Sequence, residues 1–111
     1  MEIAYGDKSL ERLCNDDAHA KKKLGPLNAK KLRARLDDLD AAATLAVMRT
    51  LPGGCHELKA DLAGCLGIDL HKGFRIVITP GHDPVPIKGD GGLDWALVTA
   101  VRVVKIGDYH D

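Results

Sequence analysis

Aromatic residues are scarce in this 111-residue chain: one Trp, one Phe and two Tyr make up 4% of it. Its core must therefore come from Leu, Ile, Val and Ala, within an apolar content of 45% that is ordinary for a folded domain. No apolar run approaches the roughly 20 residues that a membrane-spanning helix needs. Glu2 and Asp7 interrupt anything resembling a secretory leader. Cysteine is limited to Cys14, Cys55 and Cys65, an odd number at irregular spacing, which argues for reduced thiols rather than a disulfide framework. The expected location is cytoplasmic. An excess of one charge is also missing. Sixteen basic and 16 acidic residues give a formal net charge of zero, without the basic surplus usual in nucleic-acid binders.

What is present is unevenly placed. Lys21, Lys22, Lys23, Lys30, Lys31, Arg33 and Arg35 crowd one segment, while acids cluster at residues 37–40, 83–94 and 108–111. At this length one domain is expected over residues 1–111, burying about two-thirds of its unfolded surface. Residues 1–5 read as a short strand. Asp7 is the natural N-cap for a helix carrying Leu10, Leu13 and Cys14, and a second helix follows over Asp17–Leu24. Gly25-Pro26 is a helix stop followed by Pro at a first helical position. Ala29, Leu32, Leu36, Leu39 and Ala43 then recur at helical spacing as one apolar stripe. Arg33 can pair with Asp37 at i,i+4, so a solvated face accounts for that cluster of charge. Thr44 is expected to cap a further turn over residues 44–48, ended by Pro52-Gly53-Gly54.

Beyond Cys55 the period becomes alternating. Leu66, Ile68 and Leu70 share one face, as do Phe74, Ile76 and Ile78 after a turn at His71-Lys72-Gly73. That register sets Leu70 opposite Phe74, Ile68 opposite Ile76 and Asp69 opposite Arg75. Residues 80–94 carry three Pro and four Gly and read as a loosely structured loop. Residues 97–106 read as a long buried strand. The architecture predicted is α+β, with N-terminal helices packed on one face of a small antiparallel sheet.

The chain ends in a dense polar cluster, Asp108-Tyr109-His110-Asp111. His changes charge near neutrality and can give or take a proton there; Tyr offers a hydrogen bond and a face for a base. A frayed terminus is the plainer reading. Taken with His56-Glu57-Leu58-Lys59 and the run from Gly64 through Ile68 to Phe74-Arg75-Ile76, however, this cluster resembles the HigB-type toxins of bacterial type II toxin–antitoxin systems. These lie within the RelE-like ribonuclease superfamily (plasmid maintenance killer proteins). The likeness covers nearly the whole chain except an apparent insertion at about residues 80–94.

That resemblance implies a compact RelE-like fold and cleavage of messenger RNA on the ribosome, without metal or other cofactor. The RNA's own 2′-hydroxyl attacks the neighbouring phosphorus. The implied partners are the ribosome, its messenger RNA and a helix-turn-helix antitoxin encoded by an adjacent gene; no membrane is involved. Carried over residue by residue, His56 and His110 are the proton-transfer groups, Arg75 the phosphate clamp and Tyr109 the positioning or stacking residue. Lys59 and Asp108 contribute to RNA binding, Lys59 at a phosphate and Asp108 by orienting a neighbour. Which His is acid and which base stays open. Three departures point toward weakened catalysis: Ala60-Asp61-Leu62-Ala63 where relatives carry a basic turn, Asp69 as a competitor for Arg75, and Asp111 beyond the usual terminal His. A catalytically weak relative that binds an antitoxin or the ribosome is therefore the second reading. A metal site from Cys55, His56, Cys65, His71 or His82 lacks supporting spacing. For Trp95, a cover over the sheet edge is favoured above base stacking.

Overall fold

A computed structural model describes residues 1–109, so the expectations for His110 and Asp111 lie outside the described residues. The chain runs through strand β1 (Glu2–Tyr5) and helices α1 (Lys8–Asn15), α2 (Asp17–Leu24) and α3 (Pro26–Ala41). Four strands follow: β2 (His56–Glu57), β3 (Leu66–Asp69), β4 (Arg75–Pro80) and β5 (Ala100–Gly107). Single 3₁₀ segments occupy Leu45–Thr50, Ala60–Leu62 and Trp95–Leu97. The strands form one sheet in the order β1-β5-β4-β3-β2. All pairings are antiparallel except β1 with β5, which is parallel.

Local chemistry explains the helix ends. Asp7 accepts from the Leu10 N–H at 2.8 Å and Asp16 from the His19 N–H at 3.1 Å, so each carboxylate satisfies an orphan donor at the head of its helix. Gly25 takes a positive φ that suits a helix stop, and Pro26 opens α3 where its missing N–H costs nothing. The stripe through Ala29, Leu32, Leu36 and Leu39 is buried against the sheet. Ala43 departs from it. The helix ends at Ala41, the chain turns extended at Ala42, and Ala42 rather than Ala43 enters the core. Arg33 and Asp37 pair as expected at 3.1 Å. Lys21 pairs with Asp17 at 2.9 Å, whereas Lys22, Lys23, Lys30 and Lys31 are exposed.

The β3–β4 hairpin adopts the expected register, with Asp69 opposite Arg75 and Ile68 opposite Ile76. Leu66, Ile68, Ile76 and Ile78 consequently face the helices in the main core, while Gly67, Asp69, Arg75 and Val77 face the other way. A second, smaller cluster of Leu58, Leu62 and Val77 covers part of that outer face. The C-terminal strand starts three residues later than expected. Trp95 is buried and donates its indole N–H to Glu57 at 3.2 Å, which holds Trp95–Leu97 as a turn and leaves Leu97 exposed. Trp95 thus covers the sheet beside β2, with the Arg49 guanidinium 4.0 Å above its ring. Residues 80–94 are better ordered than a loose loop, and pair Ile87 with Leu93.

The packing makes a contrast testable. Leu39→Ala, at a fully buried site, is expected to remove about 2–5 kcal/mol of stability. Ala43→Ser, at the exposed end of the stripe, should change it by less than about 0.5 kcal/mol in the same urea titration.

Candidate active site on the open sheet face

The outer face of the sheet gathers the residues singled out by sequence. His56 stands opposite Gly67 on the edge strand, Arg75 occupies the start of central strand β4, and Gly107 lies opposite Arg75 on β5. From β2 to β5 is three strand spacings, about 14 Å, a width that long side chains can close from both sides. Tyr109 folds back over Gly107, whose place for a Cβ lies 3.0 Å from the phenol ring's Cε2. The Lys105 ammonium sits 5.0 Å from that ring's centroid. His56, Arg75 and Tyr109 therefore share one face. Lys59 and Asp108 are exposed, at the ends of the 3₁₀ segment Ala60–Leu62 and of β5 respectively.

Arg75 is the distinctive member. Its side chain is only 8% exposed, whereas its ion-pair partner Asp69 is 57% exposed. Asp69 Oδ1 accepts from Arg75 Nη2 at 3.2 Å and from Nε at 3.4 Å. Gly67 makes the burial feasible: a Cβ there would lie 3.1 Å from Arg75 Cδ and Nε and from Leu58 Cδ2. The arginine stem lies across that gap. Asp69 is itself held at both backbone groups. Its N–H donates to Gly53 O at 2.8 Å, and its carbonyl accepts from Arg35 Nε at 3.2 Å. Gly53 has a φ of 104°, and a Cβ on it would meet Ile68 Cγ2 at 2.6 Å, so only glycine fits.

His56 is exposed and its Nδ1 lies 2.9 Å from the Gly54 carbonyl. A carbonyl can only accept, so Nδ1 carries the proton and Nε2 is the basic nitrogen of the neutral ring. The 3₁₀ segment Ala60–Leu62 brings Leu62 over Val77, so the stretch lacking basic charge builds the small outer cluster. Sequence reasoning missed Gly67 and Gly107, the two clearings on either side of Arg75. An isolated Gly between Leu66 and Ile68 in a strand pattern is a signal of close approach that could have found the first. It also missed the Glu57–Trp95 bond.

Two of the three cysteines are poorly suited to nucleophilic work. Burial pushes the Cys14 thiol up to about 11 and the Cys55 thiol up to about 12, so both are protonated at neutrality. All three cysteines are free. Among the described residues, no group of three His, Cys, Asp or Glu side chains could hold a metal ion.

Two outcomes follow. Gly67→Ala should force the Arg75 stem out of its groove, seen as a changed Arg75 Nε resonance in a protein that still folds. The two buried thiols bind protons more tightly folded than unfolded. Their contribution to stability is thus constant below the ordinary thiol value of 9.0 and is lost as pH rises above it. A urea midpoint that falls there, and falls less steeply in Cys55→Ala, checks this.

No protein-family model matches this chain, and no curated protein sequence matches it. Solved structures do. A YoeB/ParE toxin from Agrobacterium tumefaciens superimposes with a TM-score of 0.56 at 13% identity, over 99% of this chain and 100% of that one. A chain of the YoeB–YefM complex from Staphylococcus aureus gives 0.54 at 16% identity, over 100% of this chain and 98% of that one. Three N-terminal helices laid on one face of a five-stranded sheet, with the other face only partly covered by a small apolar cluster, thus make up an α+β fold of the YoeB/RelE-like toxin kind.

Proposed function

We propose that this protein is the toxin of a type II toxin–antitoxin system, an endoribonuclease that cleaves messenger RNA on the ribosome. The observation that carries the reading is the convergence of His56, Arg75 and Tyr109 on one sheet face in a RelE-like fold. An adjacent-gene antitoxin with a helix-turn-helix is the partner this reading supplies. A similar toxin chain was solved together with YefM.

The chemistry needs a base for the 2′-hydroxyl, positive charge on the phosphorane oxygens and an acid for the leaving 5′-oxygen. His56 Nε2 takes the 2′-hydroxyl proton, a role that its Nδ1–H bond to Gly54 favours. The O2′–P bond forms as the P–O5′ bond breaks. Arg75 presents its planar fork to the non-bridging oxygens, in a setting of low exposure where the attraction is weakly screened. His110 returns a proton to the 5′-oxygen. Tyr109 stacks on or positions the flanking nucleotide, with Lys59 contacting a phosphate and Asp108 orienting its neighbour. The products are a 2′,3′-cyclic phosphate and a 5′-hydroxyl, and no metal enters the scheme.

One observation favours a weakened relative that serves mainly as an antitoxin- or ribosome-binding module. Asp69 already engages Nε and Nη2 of the Arg75 guanidinium and competes with a phosphate for them. Asp69→Asn separates the readings, because it removes the competing charge and keeps an acceptor.

Induction of the protein alone, followed by mapping of RNA ends, is the test. The wild type is expected to cleave, and His56→Ala and His110→Ala should each lose about 10²-fold or more. Asp69→Asn should gain about tenfold, roughly 1.4 kcal/mol. Unchanged cleavage in both histidine variants would remove the mechanism. Tight antitoxin binding with no cleavage even in Asp69→Asn would establish the module instead.

A further inference from the structure

Residues 80–94 have no task in that reaction, yet they are firmly built. Lys88 N–H donates to Gly92 O at 2.7 Å, Gly91 N–H to Lys88 O at 2.9 Å and Asp94 N–H to Pro86 O at 3.0 Å, closing a small hairpin around the Ile87–Leu93 pair. Its base is tied down where Gly81 N–H reaches Ala100 O at 2.8 Å and Thr99 N–H reaches His82 Nε2 at 3.0 Å. These bonds give the segment a defined shape. That shape presents Ile87 at 56% exposure and Val85 at 38% to solvent. Both line a cleft of about 280 Å³ together with Pro80, Leu93, Gly64 and Glu57. The volume lies at the lower edge of ligand-site sizes and has room for a large apolar side chain.

Charge narrows the occupant. The hairpin carries Asp83, Asp90 and Asp94 against Lys88 alone, and Lys88 already lies 3.7 Å from Asp90. Glu57 is the charged residue lining the cleft, and the two charged residues between it and Gly64 in the chain, Lys59 and Asp61, offset each other. A phosphate backbone is repelled from such a rim. An apolar side chain flanked by Lys or Arg is attracted to it, and its burial on Ile87 and Val85 removes exposed aliphatic surface from water. We infer that this hairpin cleft is a docking site for a partner protein's segment bearing a large aliphatic side chain beside basic residues. The lining of the cleft includes none of His56, Arg75 and Tyr109, and the inference does not depend on RNA cleavage.

The test uses the full chain labelled with ¹⁵N and two synthetic seven-residue peptides, one alternating Lys and Leu, the other Glu and Leu. The Lys–Leu peptide is expected to move the amide resonances of Val85, Ile87 and Leu93 saturably, with at least about tenfold tighter binding than the Glu–Leu peptide. Ile87→Ser should abolish that response while the rest of the spectrum is unchanged; Val85→Ser provides the same test should Ile87→Ser disturb the hairpin. Equal binding of both peptides, no response at these residues, or their displacement by a uridine decamer would overturn the inference. So would self-association of the protein through this hairpin.

Discussion

A guanidinium almost withdrawn from water on the surface of a sheet is the constraint around which this molecule is arranged. An arginine at the exposure of Arg75 demands compensation, because a buried charge without it costs several kcal/mol. The neighbourhood supplies this in layers. Gly67 leaves the trough for the stem, Asp69 supplies the countercharge, and Gly53 and Arg35 fix the backbone of Asp69. The hairpin register is therefore more than a way to bury Ile68 and Ile76. It delivers a cation to the open face at a defined depth, two strands from His56 and directly beside Gly107.

Alternation made that register legible in advance. Pairing residues 66–70 with 74–78 in this phase keeps Leu66, Ile68, Leu70, Phe74, Ile76 and Ile78 on one face and leaves Val77 on the other, and the turn residues His71-Lys72-Gly73 fix where the strands meet. Helix ends were legible for an equally local reason, since Asp7 and Gly25-Pro26 act within one turn of themselves. Long-range effects were not. Ala43 continues the helical period but loses its place because Ala42 turns into the core first. Residues 97–99 look like strand, yet Trp95 is anchored by Glu57 from 38 residues away and delays β5. The parallel pairing of β1 with β5 also joins opposite ends of the chain.

For the candidate site, residue types and their chain order pointed to His56, Arg75 and Tyr109, and all three stand on the same face. What the chain order could not reveal is the space between them. Glycines at 67 and 107 contribute by what they lack, and a missing side chain leaves little trace in composition. The Ala60–Leu62 segment shows the converse. Its want of basic charge reads as a deficit in RNA binding, but folded it supplies Leu62 to cover Val77, so packing has taken a position where charge was expected. Together with the Asp69 clamp, this leaves the outer face partly packed and its arginine paired.

The most direct measurement is a crystal structure with a short RNA bearing a 2′-O-methyl group at the cleavage position, which blocks attack while keeping the phosphate. The account predicts that phosphate within hydrogen-bond distance of the Arg75 guanidinium, Asp69 turned away, the blocked 2′-oxygen beside His56 Nε2 and a base against Tyr109. RNA bound along the lysines of α2 and α3, with the Arg75–Asp69 pair undisturbed, would contradict it.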